Sequence, residues 1–264
     1  MKIALCFSGQ LRDFNKTYPS LHRHVLSPLN SHSVYSFAHY AGSNSHFSYP
    51  HPFHKVIAEE TEPDFAEFLP YDHDVVGRPW HKGSPLTAYL RQLRSLSMAD
   101  SLRKDYESEH GFVFDWVFRL RFDNLYVSPL EDISLLPRDR IYIPAHDNWR
   151  GFNDRFAFGP PSLMEIYSDR LHGAMQYIRK GYSLNPEIFL LNHLRDHCIS
   201  ISRTRVVHHL LRYSQLWRSR FRLEQGDDLS FLPKRPFGSL RDKISPRIGA
   251  RRYDCLSVLW WRRS

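Results

Sequence analysis

The stretch from Phe114 to Tyr126, FDWVFRLRFDNLY, begins apolar and ends charged. Trp116, Val117 and Phe118 read as part of a strand bound for a buried sheet, expected over Phe114–Leu120. Arg119, Arg121 and Asp123 stand at alternate positions, so an extended backbone would put all three on one face. Charges at the end of a buried strand either pair with one another or bind something. The carboxyl ends of strands are also where α/β sheets hold their ligands. Asp123 is therefore the first candidate site residue, and the competing reading is a structural salt bridge to Arg121 or Arg119.

Upstream, Ser84–His110 carries the longest helical pattern. Ser84-Pro85 offers a cap with Pro in the first turn, and Leu86, Leu90, Leu93, Leu96 and Leu102 form an apolar stripe. Gly111 ends it. Lys2–Ser8 reads as a first strand that runs into Ser8-Gly9-Gln10 and Arg12, a turn placed where nucleotide-binding α/β domains begin. The turn matches neither GxGxxG nor a P-loop. A backbone N–H or the Gln10 amide could read a base or ribose there, and Arg12 could meet a phosphate; an ordinary tight turn is the alternative. Thr17–Leu29 is expected as a helix, Val34–Ala38 as a strand, His39–His54 as a loop and Glu62–Leu69 as a helical turn.

Downstream, Asp139–Pro144 reads as a strand and Ala145–Gly151 as a polar, aromatic loop. Its Asp147, Asn148 and Trp149 suit sugar hydroxyls and ring stacking, or a solvated loop. Asn153–Gly159 alternates like an edge or antiparallel strand. Within it Asn153 and Asp154 are candidate sugar contacts, with pairing to Arg155 or a turn cap as the other reading. Ser162–Tyr177 is expected as a helix. Asn185-Pro186-Glu187 opens another, where Glu187 is either a dipole-stabilising acid or a general base. Cys198–Ile201 and Arg205–Val207 are expected as closing strands. His208 follows them as a metal ligand or a chance histidine.

Charge divides the chain. Up to Leu211 there are 23 Lys+Arg and 23 Asp+Glu, which leaves 13 and 5 of the totals of 36 and 28 to the remainder. A neutral body of residues 1–211 with a basic extension of residues 212–264 is the expected organisation. Leu211–Leu223 reads as a basic amphipathic helix. The extension's arginines and its Trp260-Trp261 end suit either an anionic membrane surface or packing on the body. No nucleic-acid motif is present. No apolar run is long enough to span a bilayer, and the N-terminus reads as a strand, not a signal peptide. Three scattered cysteines fit a reducing compartment. A cytoplasmic location is the resulting expectation, peripheral at the membrane's inner face if the extension meets lipid and not the body.

The ordered set SGQLR, VYSFAH, the long helix, WVFRLRFD, DRIYIP, NDRFAFG and NPEIFLLNHL resembles GT-A-type glycosyltransferases of bacterial and viral surface-glycan clusters and of some plant proteins. The resemblance covers about Met1 to His208. It implies a Rossmann-type nucleotide-sugar domain with a mixed, mostly parallel sheet flanked by helices. It also implies transfer of a sugar from a nucleotide-sugar donor to a hydroxyl of a glycan or lipid-linked acceptor. In such enzymes a DxD pair holds Mn²⁺ or Mg²⁺ against the donor diphosphate. Here Asp123 is followed by Asn124 and Leu125, so the second carboxylate is missing. Either Asp123 holds a metal with Asn124 or a distant histidine such as His208, or Arg119 and Arg121 clamp the phosphates instead. Glu187 or Asp154 would be the base of an inverting transfer; a retaining course needs none. The alternative function is a catalytically inactive nucleotide-sugar fold that acts as a binding or scaffold protein.

Overall fold

A computed structural model describes residues 1–11, 14–42, 51–61, 63–71, 86–182 and 184–211. Arg12, the Ser84-Pro85 cap and the whole basic extension, including its expected helix and membrane-binding surface, lie outside the described residues.

The described residues form an α/β domain. Strands β1 (Lys2–Gln10), β2 (Ser33–Ala41), β3 (Lys55–Glu59), β4 (Trp116–Leu120), β6 (Ile141–Pro144), β7 (Ala157–Gly159) and β8 (Ile201–Thr204) make one seven-stranded sheet in the order β3-β2-β1-β4-β7-β6-β8. All neighbours are parallel except at β7, which is antiparallel to both β4 and β6. β5 (Asn124–Tyr126) and β9 (His208–Leu210) pair antiparallel as a separate ribbon. This mixed, mostly parallel sheet flanked by helices is compatible with a Rossmann-like fold.

Side-chain alternation along β1 builds both halves of the core. Ile3, Leu5 and Phe7 pack with Phe14 and Leu21 of α1 (Phe14–Leu21) and with Val25 and Leu29 beyond it. Ala4 and Cys6 face the other way, onto Leu96, Ala99 and Leu102 of α2 (Leu86–His110). Helices on both faces explain why β1 and β4 are buried nearly throughout. α3 (Pro161–Ser168), α4 (Arg170–Arg179) and α5 (Pro186–Asp196) join the layer of α2. Leu90 and Leu93 there meet Ala174, Ile178 and Phe189. No helix among the described residues is long and apolar enough to cross a membrane.

Several boundaries differ from the sequence reading. α1 stops at Leu21 and continues as a π turn (His22–Leu26) and a 3-10 turn (Ser27–Leu29) around Pro28, because Pro supplies no backbone N–H. β2 runs on to Ala41, so His39 is a strand residue and not the start of a loop. The helix expected over Ser162–Tyr177 is two helices broken at Asp169. The closing strands fall three residues later than expected, at Ile201–Thr204 and His208–Leu210. Most consequentially, β4 ends at Leu120, and Arg121, Phe122 and Asp123 form a turn into β5.

Candidate functional site

From β1 the chain crosses to β2 on one side and, later, β4 is laid down on the other. The crevice beyond the carboxyl ends at such a reversal is the favoured ligand position in open α/β sheets. A cleft of about 590 Å³ lies there, within the usual range for small-molecule sites. Gly9 and Gln10 from β1, Ala41 at the end of β2 with Gly42 after it, and Glu59 at the end of β3 with Glu60 after it line one side. Arg121 after β4, Asp154 and Arg155 before β7, Pro186 and Glu187 of α5, and the Tyr89–Ser95 part of α2 close the other.

Local sequence explains these placements. Gly9 takes a φ of 117°, open to Gly at little cost. Its N–H donates to Ser95 Oγ at 2.9 Å, while Ser95 Oγ donates to the His39 carbonyl at 2.8 Å and meets His39 Nδ1 at 3.1 Å. One serine on α2 thus fixes the ends of β1 and β2 together. Glu187 sits in the first turn of α5. Asn185 caps that turn, its Oδ1 accepting from Ile188 N–H at 3.0 Å. The Glu187 carbonyl accepts from Phe152 N–H at 3.0 Å, and Gly151 lies so close that a Cβ there would stand 1.9 Å from that same oxygen.

Arg121 and Asp123 lock together. Arg121 Nε donates to Asp123 Oδ1 at 2.7 Å and Nη2 to Oδ2 at 3.0 Å; Nη1 donates to Gln92 Oε1 at 2.9 Å. Gln92 Nε2 then donates to Asp154 Oδ2 at 2.6 Å, so a chain of hydrogen bonds runs from Asp123 to Asp154. Burial alone would depress the Arg121 guanidinium, but Asp123, with Asp154 and Tyr126 adding, holds its pKa above the ordinary value. Burial would raise the Asp154 carboxyl, yet Arg170, Arg155, Arg119 and Arg121 hold it below the usual carboxylate range. Asp154 is therefore ionised at neutral pH.

Of the residues singled out from sequence, Gly9, Gln10, Arg121, Asp154 and Glu187 line the cleft. Ser8 lies two residues before the end of β1 and is fully buried. Asp123 does not face the cleft as the alternation argument required. It is 2% exposed and lies behind Arg121, because the chain leaves the extended path after Leu120. Arg119 shares Val117's face of β4 and is buried under the helices near Tyr167 and Arg170. Burial drops its guanidinium to about 10, which still leaves it charged near neutrality.

The Ala145–Gly151 loop also lies outside the lining. Asp147 pairs with Arg155 at 2.7 Å. Asn148 Nδ2 donates to the Ala145 carbonyl, and its Oδ1 accepts from Asn153 N–H and Arg203 Nη1. Asn153 is buried, with Nδ2 on the His146 carbonyl and Oδ1 on Arg155 N–H. These side chains hold Asp147, Trp149 and Arg150 at positive φ, and Trp149 projects half-exposed. The expected sugar loop is, in its polar contacts, a structural brace.

A divalent cation at Asp123 fits this donor set poorly. Both carboxylate oxygens already accept from a guanidinium, and Asn124 directs its amide N–H at the Arg155 carbonyl, 3.1 Å away. His208 is wholly buried against Tyr126, Phe156 and His146, and burial pushes its pKa far down. Among the described residues no three His, Cys, Asp or Glu converge as a metal-binding group.

Sequence reasoning missed Gln92, Ser95, His39 and Glu59. Tyr89, Gln92 and Ser95 recur every third residue beside the leucine stripe, which is a helical face; nothing local said that it fronts a cleft. Glu59, which accepts from Arg94 at 2.6 and 2.8 Å, ends a strand that had not been expected. No curated protein matches the chain. A family model described as a domain of unknown function (DUF7796) matches residues 1–213, and the chain belongs to that family.

Proposed function

We propose that the protein is a glycosyltransferase of GT-A-like architecture that moves a sugar from a nucleotide-sugar donor to a hydroxyl of a glycan or lipid-linked acceptor. The observation that carries this reading is the placement of two buried acids, Asp154 and Glu187, in one cleft at the reversal point of the parallel strands. The ordered motifs that resemble such enzymes support it.

In this reading the Gly9-Gln10 end of β1 lies on the nucleotide side and the two acids on the acceptor side. Asp154, ionised and tied to Gln92, accepts hydrogen bonds from sugar hydroxyls. Glu187 takes the proton of the attacking acceptor hydroxyl. The acceptor oxygen forms its bond to the anomeric carbon as the carbon–oxygen bond to the diphosphate breaks, with the electron pair leaving on the diphosphate. The anomeric centre inverts.

The test is a thermal-shift panel of UDP-, GDP- and CDP-sugars, followed by assay of nucleotide release with glycan acceptors. A shift with one donor class, and turnover lost in Glu187→Gln with the shift retained, is the expected result. A shift without any turnover would instead support the binding or scaffold alternative. No shift with any donor would remove the nucleotide-sugar reading.

A further inference from the structure

We infer that, granted the glycosyltransferase reading, the donor's diphosphate is met by a protein-borne cation, Arg121, where the enzymes the sequence resembles use a divalent metal. Asp123 is then the anchor of that guanidinium and not a metal ligand.

Geometry carries the inference. A guanidinium has five N–H groups in a fixed fork. Three of Arg121's are committed, two to Asp123 and one to Gln92, and the remaining two belong to a group that lines the cleft. A side chain held at three points has already lost the freedom that binding would otherwise remove. A metal at Asp123 would have to reach a carboxylate that is 2% exposed, lies outside the cleft lining, and is already shared with the Arg121 fork. Hard divalent cations also take about six oxygen ligands, whereas the position two residues after Asp123, where a DxD motif has its second acid, is Leu125.

The Gln92 link adds a functional consequence. Its amide joins Arg121 to Asp154, so the group facing the leaving diphosphate and one of the acids facing the sugar are set at a fixed separation. As the carbon–oxygen bond to the diphosphate breaks, negative charge grows on the departing oxygen. The free N–H groups of Arg121 stabilise it without a metal.

The experiment is isothermal titration of the full chain with UDP, GDP and CDP, each in EDTA and in MnCl₂. For the nucleotide that binds, the dissociation constant is expected to agree within about twofold between the two conditions. Arg121→Gln should weaken binding at least tenfold in both. Asp123→Asn should weaken it a few-fold, with no recovery in Mn²⁺. Binding that appears only with Mn²⁺, and a wild-type Mn²⁺ effect that vanishes in Asp123→Asn, would overturn the inference while leaving the glycosyltransferase reading standing. Absence of binding by all three nucleotides in both conditions would overturn the two together. The EDTA and Mn²⁺ comparison needs only the wild-type protein, so it decides the matter even if a variant fails to fold.

Discussion

Gly151→Ala should be among the most damaging single-methyl changes in the molecule. A Cβ at Gly151 would stand 1.9 Å from the Glu187 carbonyl oxygen, 2.1 Å from its carbon and 2.6 Å from Ile188 N. All three are backbone atoms, so no side-chain rotation relieves the overlap. The loop has little freedom, because Gly151 N–H is bound to the Asn148 carbonyl and Phe152 N–H to the Glu187 carbonyl. The helix start has little either, since Asn185 caps it. Overpacking costs about 1–3 kcal/mol, and the Phe152–Glu187 hydrogen bond about 1 kcal/mol more if it breaks. A loss of about 2–4 kcal/mol, or roughly 5–15 °C in Tm for a domain this size, is expected. Gly181→Ala is the control: its φ of 79° disfavours a side chain, but nothing lies within 4 Å, so a loss of about 1–2 kcal/mol is expected. Urea unfolding followed by tryptophan fluorescence measures both. A Gly151→Ala protein within 0.5 kcal/mol of wild type would refute the described packing of this loop on α5.

Asp100→Ala should cost about 3–5 kcal/mol in the same assay, because Arg103 is 1% exposed and would keep only its Glu107 partner. Ser95→Ala should cost about 1–3 kcal/mol by leaving the Gly9 N–H without its acceptor, and should also weaken nucleotide binding measured by titration. Acid should destabilise the fold: burial, with neighbouring histidines and, for His193, Arg170 adding, lowers the pKa of His51 and His193 to about 4. The unfolded chain binds their protons below about pH 6.5 while the folded chain does not. Stability is therefore full above pH 6.5 and falls as pH drops toward 4, by up to about 3 kcal/mol per histidine. A pH series of urea melts flat from 7 to 4.5 would contradict this.

How much of this was legible depends on the range over which each feature is decided. β1, β4 and the long helix α2 were readable because an unbroken apolar run and a leucine stripe are local patterns. β5 and β9 were not: each is three residues long and exists only by pairing Asn124–Tyr126 with His208–Leu210, far apart in the chain. Glu187 and Asp154 were readable as acids at a helix start and before a strand, but their convergence depends on where α5 packs. Gln92 looked like an ordinary polar residue on a helix surface. Asp123 shows the sharper failure. Alternation predicts a shared face only while the backbone stays extended, and the strand ends one residue before Arg121. Arg103 carries no local sign of its burial, because only the fold shows Asp100 and Glu107 covering it.

The buried arginines bear on which acid can act as a base. Arg119 and Arg170 are each at most 1% exposed. Arg119 Nε and Nη2, and both Nη atoms of Arg170, find no hydrogen-bond partner among the described residues. Their charge is instead felt at Asp154, where Arg170 is the largest influence opposing burial. A carboxylate stabilised in this way is a weak proton acceptor, because whatever lowers its pKa also lowers its affinity for a proton. It remains a good hydrogen-bond acceptor for a hydroxyl. If the cleft transfers sugars, the two acids therefore have different work: Asp154 orients the sugar and Glu187 accepts the proton. The chain from Asp123 through Arg121 and Gln92 to Asp154 favours the same division, since it leaves Asp154 fixed in place and already holding one donor. Replacing Arg170 by Met would raise the Asp154 pKa and shift the pH profile of turnover toward higher pH, whereas a purely structural Arg170 would lower stability and leave the profile where it was.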